Sequence, residues 1–219
     1  SPNAGFTNDT VCAQLEMSFT DTSTIPTGTI VSWSWDFGDG GVSADQNPVH
    51  VYNLGGQYTV SLTVESDLGC IDVFDKVIIV YPKPFANFNT FAACQNDVNS
   101  FTDLSLVATG SQIVGWEWGF DDPALGVSSV QFPTYVYDTS GVYTVQLIVE
   151  TDFGCLDTTT RTTEVYDLPV SDFDFNDVCR YTAAVFNNTS TIETGSSIVN
   201  YDWDFGDGDT STDEDPFGQ

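Results

Sequence analysis

Apolar and polar residues alternate over short stretches, as in Leu15-Glu16-Met17-Ser18-Phe19, Val31-Ser32-Trp33-Ser34-Trp35-Asp36-Phe37 and Tyr58-Thr59-Val60-Ser61-Leu62-Thr63-Val64. A period of two puts alternate side chains on opposite faces of a strand, so each stretch predicts a half-buried β-strand. On the second, Val31, Trp33, Trp35 and Phe37 are expected on one face, with Ser32, Ser34 and Asp36 on the other. The third turns at Asp67-Leu68-Gly69 and continues as a further strand through Ile78-Ile79-Val80. No stretch carries the 3.6-residue period of a helix.

The same elements recur. Trp35-Asp36-Phe37-Gly38-Asp39-Gly40 returns as Trp118 to Pro123 and again as Trp203 to Gly208, with the tryptophans 83 and 85 positions apart. Cys12, Cys94 and Cys179 are spaced by 82 and 85. A period of that size is a whole domain. The 219 residues divide into modules 1–81, 82–166 and 167–219, the third shorter by about a third of a module. Its end at Pro216-Phe217-Gly218-Gln219 reads as the edge of a window cut from a longer polypeptide, or as a place for strands from another subunit. Short strands, dense turns and modules of this size predict two-sheet antiparallel sandwiches.

These residues carry a family resemblance. Trp35 to Gly40, then Asn47-Pro48-Val49-His50-Val51-Tyr52, then Gly56-Gln57-Tyr58-Thr59-Val60 follow in order, and Phe132-Pro133 to Tyr137 and Gly141-Val142-Tyr143-Thr144-Val145 answer them in module two. Each copy resembles a PKD domain, the immunoglobulin-like module named after polycystic kidney disease protein, and the resemblance spans the chain. It implies an all-β fold of tandem immunoglobulin-like sandwiches of about seven strands, serving as spacers or interaction modules. The tandem form with paired cysteines is similar to giant adhesins and surface filaments of gliding bacteria.

Charge narrows the partners. Against 32 acidic residues stand only Lys76, Lys83, Arg161 and Arg180, a net of -28. A polyanion repels phosphate backbones, so nucleic acid is disfavoured as a partner. The longest aliphatic run, Val77 to Val80, is too short to cross a bilayer, which predicts no membrane insertion. Five cysteines at repeat-locked positions and very little Lys fit an extracellular protein with disulfides.

Trp35, Trp118 and Trp203 sit mid-strand and are expected as core anchors rather than sugar platforms. Tyr58 and Tyr143, each two residues after a Gly at a strand start, resemble tyrosine-corner residues. Asp36 with Asp39 fails as a catalytic pair, because module two places Gly119 and Asp121 at positions 36 and 38 of the motif. His50 answers to Tyr135 and Gly218, and without a second histidine no imidazole triad recurs. No enzyme is expected. No cofactor is required, although Asp39, Asp122, Asp207 and Asp209 on turns could contribute to Ca²⁺ sites. Against that stands their use as turn carboxylates that bind their own backbone N–H groups. Asn8, Asn187 and Asn188 satisfy the N-glycosylation rule, and Thr10 and Thr158 lie in Asp-Thr contexts similar to O-glycosylation sites of gliding bacteria.

Two cysteine pairings remain open. Within modules, Cys12 would join Cys70 and Cys94 would join Cys155. The strand directions implied by the PKD topology put Cys12 and Cys70 at opposite ends of a module, over about 20 Å apart, whereas a disulfide needs Cα atoms within about 7 Å. Modules stacked end to end would instead pair Cys12 with Cys155, leaving Cys70, Cys94 and Cys179 for partners in neighbouring modules. The joints Tyr81-Pro82-Lys83-Pro84 and Tyr166-Asp167-Leu168-Pro169 are short and contain Pro, which limits bending. The expected role is a non-catalytic shaft of an extracellular adhesin or surface filament, with neighbouring modules and other copies of the chain as partners. The second reading is a glycan- or protein-binding module using exposed aromatics such as Phe74 or Phe153.

Overall fold

A computed structural model describes residues 1–179, 182–193 and 196–216. Its regular elements are all β-strands. Module one holds β1 (Phe6–Asn8), β2 (Glu16–Asp21), β3 (Ile30–Asp36), β4 (Val42–Ser43), β5 (Val49–Val51), β6 (Gly56–Ser66) and β7 (Ile71–Val80). They form a three-stranded sheet β1-β2-β5 and a four-stranded sheet β4-β3-β6-β7. Apolar residues from the inner faces of both sheets meet in one core: Phe6, Met17 and Phe19 from one, Trp35, Val60, Leu62 and Ile78 from the other. Two sheets that share a core in this way are a sandwich.

Module two repeats the plan with β8 (Phe88–Asn89), β9 (Ala93–Cys94), β10 (Val98–Ser100), β11 (Thr102–Asp103), β12 (Ile113–Gly119), β13 (Val127–Ser128), β14 (Thr134–Val136), β15 (Gly141–Thr151) and β16 (Leu156–Tyr166). Its larger sheet runs β13-β12-β15-β16-β9, and its core gathers Phe88, Phe101, Trp118, Val145 and Leu147. Module three contributes β17 (Phe173–Phe175) paired with β18 (Phe186–Asn188), and β19 (Trp203–Asp204) paired with β20 (Thr210–Ser211). Trp35 and Trp118 are fully buried, each donating its indole N–H to a loop carbonyl, Asp45 at 2.9 Å and Val130 at 3.0 Å. Trp203 makes the same bond to the Asp213 carbonyl at 2.9 Å but is only half-buried. Among the described residues of module three, no counterpart of the long hairpins β6–β7 and β15–β16 is present. Gly218, which answers His50, lies outside the described residues.

One expectation from the alternation is corrected. Val31 is 55% exposed, because β3 carries a bulge between Ile30 and Ser32 where it pairs with β6. The extra residue turns Ile30 onto the core and Val31 outward. Module two repeats the bulge between Ile113 and Gly115 and likewise exposes Val114. The strand placed at Leu15 begins one residue later, and Leu15 is exposed.

The turn after β3 shows how the repeats tolerate exchange. Gly38 has φ 79°, and a Cβ there would lie 2.5 Å from the Thr59 carbonyl oxygen. Module two puts Asp121 at this place with φ 52°, a left-handed conformation that Asp tolerates, and its carboxylate accepts a bond from the Thr144 N–H at 3.1 Å.

Candidate functional site at the module joint

The joint between modules one and two is assembled from three separate stretches. The first is the strap Val11-Cys12-Ala13, which lies parallel to the end of module one: Tyr81 N–H donates to the Val11 carbonyl at 3.0 Å and Ala13 N–H to the Tyr81 carbonyl at 2.8 Å. Gln14, at φ 69°, donates its N–H to the Tyr52 carbonyl and turns the chain into β2. The second stretch is Tyr81-Pro82, held close to module one by Gly55, where a Cβ would come within 2.5 Å of the Pro82 Cα. The third is the β15–β16 turn of module two, Asp152-Phe153-Gly154-Cys155. It is closed by Thr151 N–H to the Cys155 carbonyl at 3.0 Å and by Cys155 N–H to the Thr151 hydroxyl at 3.1 Å.

Two contacts join these stretches across the module boundary. Cys12 and Cys155 are disulfide-bonded, with Cα atoms 5.7 Å apart and a sequence separation of 143. Beside the bond, the rings of Tyr81 and Phe153 stack with centroids 4.1 Å apart and planes 9° from parallel. Cys155 is buried at 1% exposure, and Cys12 is half-buried. One face of Phe153 is therefore engaged in the joint, while the residue remains 43% exposed. Phe74 makes a T-shaped contact with the Phe6 ring at 5.5 Å and remains partly exposed.

The remaining cysteines occupy equivalent places. Cys70 sits on the β6–β7 turn with the same bonds as its counterpart: Ser66 N–H to the Cys70 carbonyl and Cys70 N–H to the Ser66 hydroxyl. Cys94 lies on β9, paired in parallel with β16 as Cys12 is bridged to Tyr81. Cys70, Cys94 and Cys179 are free thiols.

Three of the four turn aspartates, Asp39, Asp122 and Asp207, accept hydrogen bonds. Asp39 accepts the Gly41 N–H at 2.9 Å and pairs with His50 Nε2 at 2.8 Å, while the His50 ring stacks on Phe37 at 4.1 Å. Burial would raise the Asp39 carboxyl, but the bonds from His50 and Gly41 outweigh it and hold it below the usual range. Asp122 accepts from the Ala124 N–H and from the Tyr135 hydroxyl, and that bond, with burial, pushes Tyr135 up to about 12. Asp207 accepts the Asp209 N–H at 3.0 Å, and Asp209 is exposed. Among the described residues no three acidic, His or Cys side chains converge in a way that could hold a metal ion.

Tyr58 and Tyr143 donate their hydroxyls to carbonyls four residues upstream, Leu54 at 2.9 Å and Thr139 at 2.8 Å. Asn8 is tied down, its amide donating to the Asp9 carbonyl and accepting from Lys76 Nζ at 2.8 Å. Asn188 caps the Ser190 N–H at 3.0 Å, whereas Asn187, Thr10 and Thr158 are exposed.

A polar network that the alternation could not reveal braces each complete module. Asp21 accepts from Trp33 Nε1 at 2.7 Å, Gln46 at 3.1 Å and the Ser23 N–H at 2.9 Å. Asp103 takes the same three from Trp116, Gln131 and Ser105. Burial pushes both carboxyls up, and the donated bonds prevail and hold them below 3.8. The repeated Phe-Thr-Asp-x-Ser at Phe19 to Ser23 and Phe101 to Ser105 was the available signal.

A family model for the PKD domain matches residues 1–79 and 82–165. Over 145 residues, 64% of the chain, the sequence is 31% identical to pre-pro-metalloprotease PrtV of Vibrio cholerae, a match covering 15% of that protein. Over 42 residues, 19% of the chain, it is 57% identical to collagenase ColQ1 of Bacillus cereus, covering 4% of that protein. The solved PKD1 domain of Vibrio anguillarum Epp is 37% identical and aligns with 37% of this chain and 94% of its own, at a TM-score of 0.35. The chain thus spans a small fraction of the length of these two longer relatives.

Proposed function

The chain belongs to the PKD-domain family, and from that premise we propose that it is a non-catalytic, load-carrying segment of an extracellular adhesin or surface filament. The observation that carries this reading is the joint. A covalent bond and a ring stack cross one boundary side by side, and a linker clamped by Gly55 runs beside them. A single flexible link would allow free rotation between modules, whereas attachment at several points opposes bending and twisting. A disulfide also fits an oxidising compartment outside the cell. No cofactor is needed for such a role. Calcium enters only as a proposal for the turn aspartates, and a melting temperature raised by Ca²⁺ and lowered again by a chelator would support it.

Small-angle scattering tests the shaft reading. The oxidised chain should give the interatomic distance distribution of an elongated body, and Cys12→Ser/Cys155→Ser should broaden and shorten it. Equal distributions, both those of freely jointed modules, would overturn it.

A second reading, lateral contact with other copies in a filament, is favoured by one feature. The outer side of edge strand β7 exposes Ile71, Val73, Val77 and Ile79. Apolar side chains on an open strand edge invite pairing. Sedimentation at rising concentration tests it, since a strictly monomeric chain would dismiss it.

A further inference from the structure

We propose that the Cys12–Cys155 bond is an extension limiter: it reroutes tensile load around the bodies of both modules, so that the two-module unit cannot lengthen appreciably even when its strands are pulled apart. The inference rests on the load-carrying reading above and concerns the path of force rather than stiffness at rest.

The argument is topological. Tension entering at Ser1 passes along the chain to Cys12, crosses the bond to Cys155, and leaves through β16 to Tyr166. Every residue between the two cysteines, across a sequence separation of 143, is bypassed. Only the first 11 steps of chain and the 11 steps from Cys155 to Tyr166 remain in the loaded path. At a limit of about 3.6 Å per residue, that path reaches roughly 85 Å, bond included. The folded pair spans roughly 70 Å, taking each module as one strand length of 11 residues, β6 or β15, at about 3.3 Å per residue. Without the bond the same 166 residues could be drawn out to about 590 Å.

The placement of the cysteines is what makes the bypass so complete. A bond within a module, Cys12 to Cys70, would shield 58 positions and leave the joint and module two to extend. Crossing the boundary instead places one anchor near the start of module one and the other near the end of module two. The bond's own position protects it: Cys155 is buried, and the Tyr81–Phe153 stack lies alongside. Cys179 follows Cys155 by 24 positions, so a bond of the same kind at Cys179 would pass the load onward after roughly 86 Å of chain.

Single-molecule stretching of the full 219-residue chain, held at its two termini, provides the test. Contour length at full extension depends on the covalent path and not on the fold, so a variant that fails to fold still reports. The oxidised chain should fall short of Cys12→Ser/Cys155→Ser by about 500 Å. A dithiol added under load converts the two sulfurs to thiols while closing into its own disulfide, and the oxidised chain should then lengthen by the same amount. A shortfall of about 200 Å, or about 400 Å, marks pairing within modules and overturns the proposal, as does no shortfall at all. Scattering separates the two claims. A chain with the full shortfall but freely jointed at rest keeps the limiter and loses the rod, and a rigid chain with no shortfall does the reverse.

Discussion

Met17 and Asn99 occupy one position in two copies of the same strand, facing His50 and Tyr135 across their sheets. Both are almost fully buried, yet the Asn99 side-chain oxygen has no hydrogen-bond partner. An unsatisfied buried amide costs about 1–3 kcal/mol, so Asn99→Met should stabilise module two by about 1–2 kcal/mol, read as a higher denaturant midpoint at unchanged slope. No gain would mean that the amide is hydrated or repositioned. Asp103 predicts the opposite direction. Its carboxyl is held below 3.8 by bonds from Ser105, Gln131 and Trp116 that overcome its burial. A depressed carboxyl contributes stability that is full above its unfolded value and is lost as pH falls through the lower folded value. Asp103→Asn should therefore lower the melting temperature at pH 7, with the difference from the parent closing towards pH 3. A gap that stayed constant with acid would remove the charged form from the account. Asp157 acts in the same sense: burial raises it, but Lys83 at 2.8 Å and the Ala86 N–H hold it down.

At the scale of elements, the strands were legible because a two-residue period reports which side of a sheet is dry. Trp35, Val60 and Leu62 were readable for that reason, and so was the hairpin turning at Asp67-Leu68-Gly69. The period fails where one extra residue enters, and the bulge at Ile30–Ser32 therefore reversed Val31 without leaving a mark in composition. It is equally silent about Asp21, Trp33 and Gln46, which meet from three separate stretches of chain. The partner of Cys12 was reachable only through strand direction, because no local pattern encodes a contact 143 positions away. The outer side of the last long strand also differs between the copies. Where β7 exposes Val73, Val77 and Ile79, β16 carries Thr158, Thr162 and Glu164. Module two thus supplies the natural control, and Val73→Thr/Val77→Thr should leave the fold intact while reducing concentration-dependent association in sedimentation. Undiminished association would place the contact elsewhere.

For the whole molecule, the dominant unspent force is its charge. The three cations among the described residues are already engaged: Lys76 with Asn8, Lys83 with Asp157 and Arg161 with Asn87, each at 2.8 Å. The surface is left strongly negative, with a net of -28 over 219 residues. Repulsion between neighbouring modules opposes folding back, but its reach follows the Debye length, about 30 Å at 0.01 M salt and about 3 Å at 1 M. Charge alone would hold the modules apart only when salt is scarce, whereas a covalent joint works at any ionic strength. The two contributions can therefore be separated on one axis. The radius of gyration of the oxidised chain should be nearly the same at 0.01 M and 1 M salt, as the proposed shaft requires of a joint held by both bond and ring stack. In Cys12→Ser/Cys155→Ser the radius should contract with salt, since only screened repulsion and the short Pro-containing linker then oppose bending. A contraction of equal size in both would show that extension is electrostatic and that the bond limits length without setting direction.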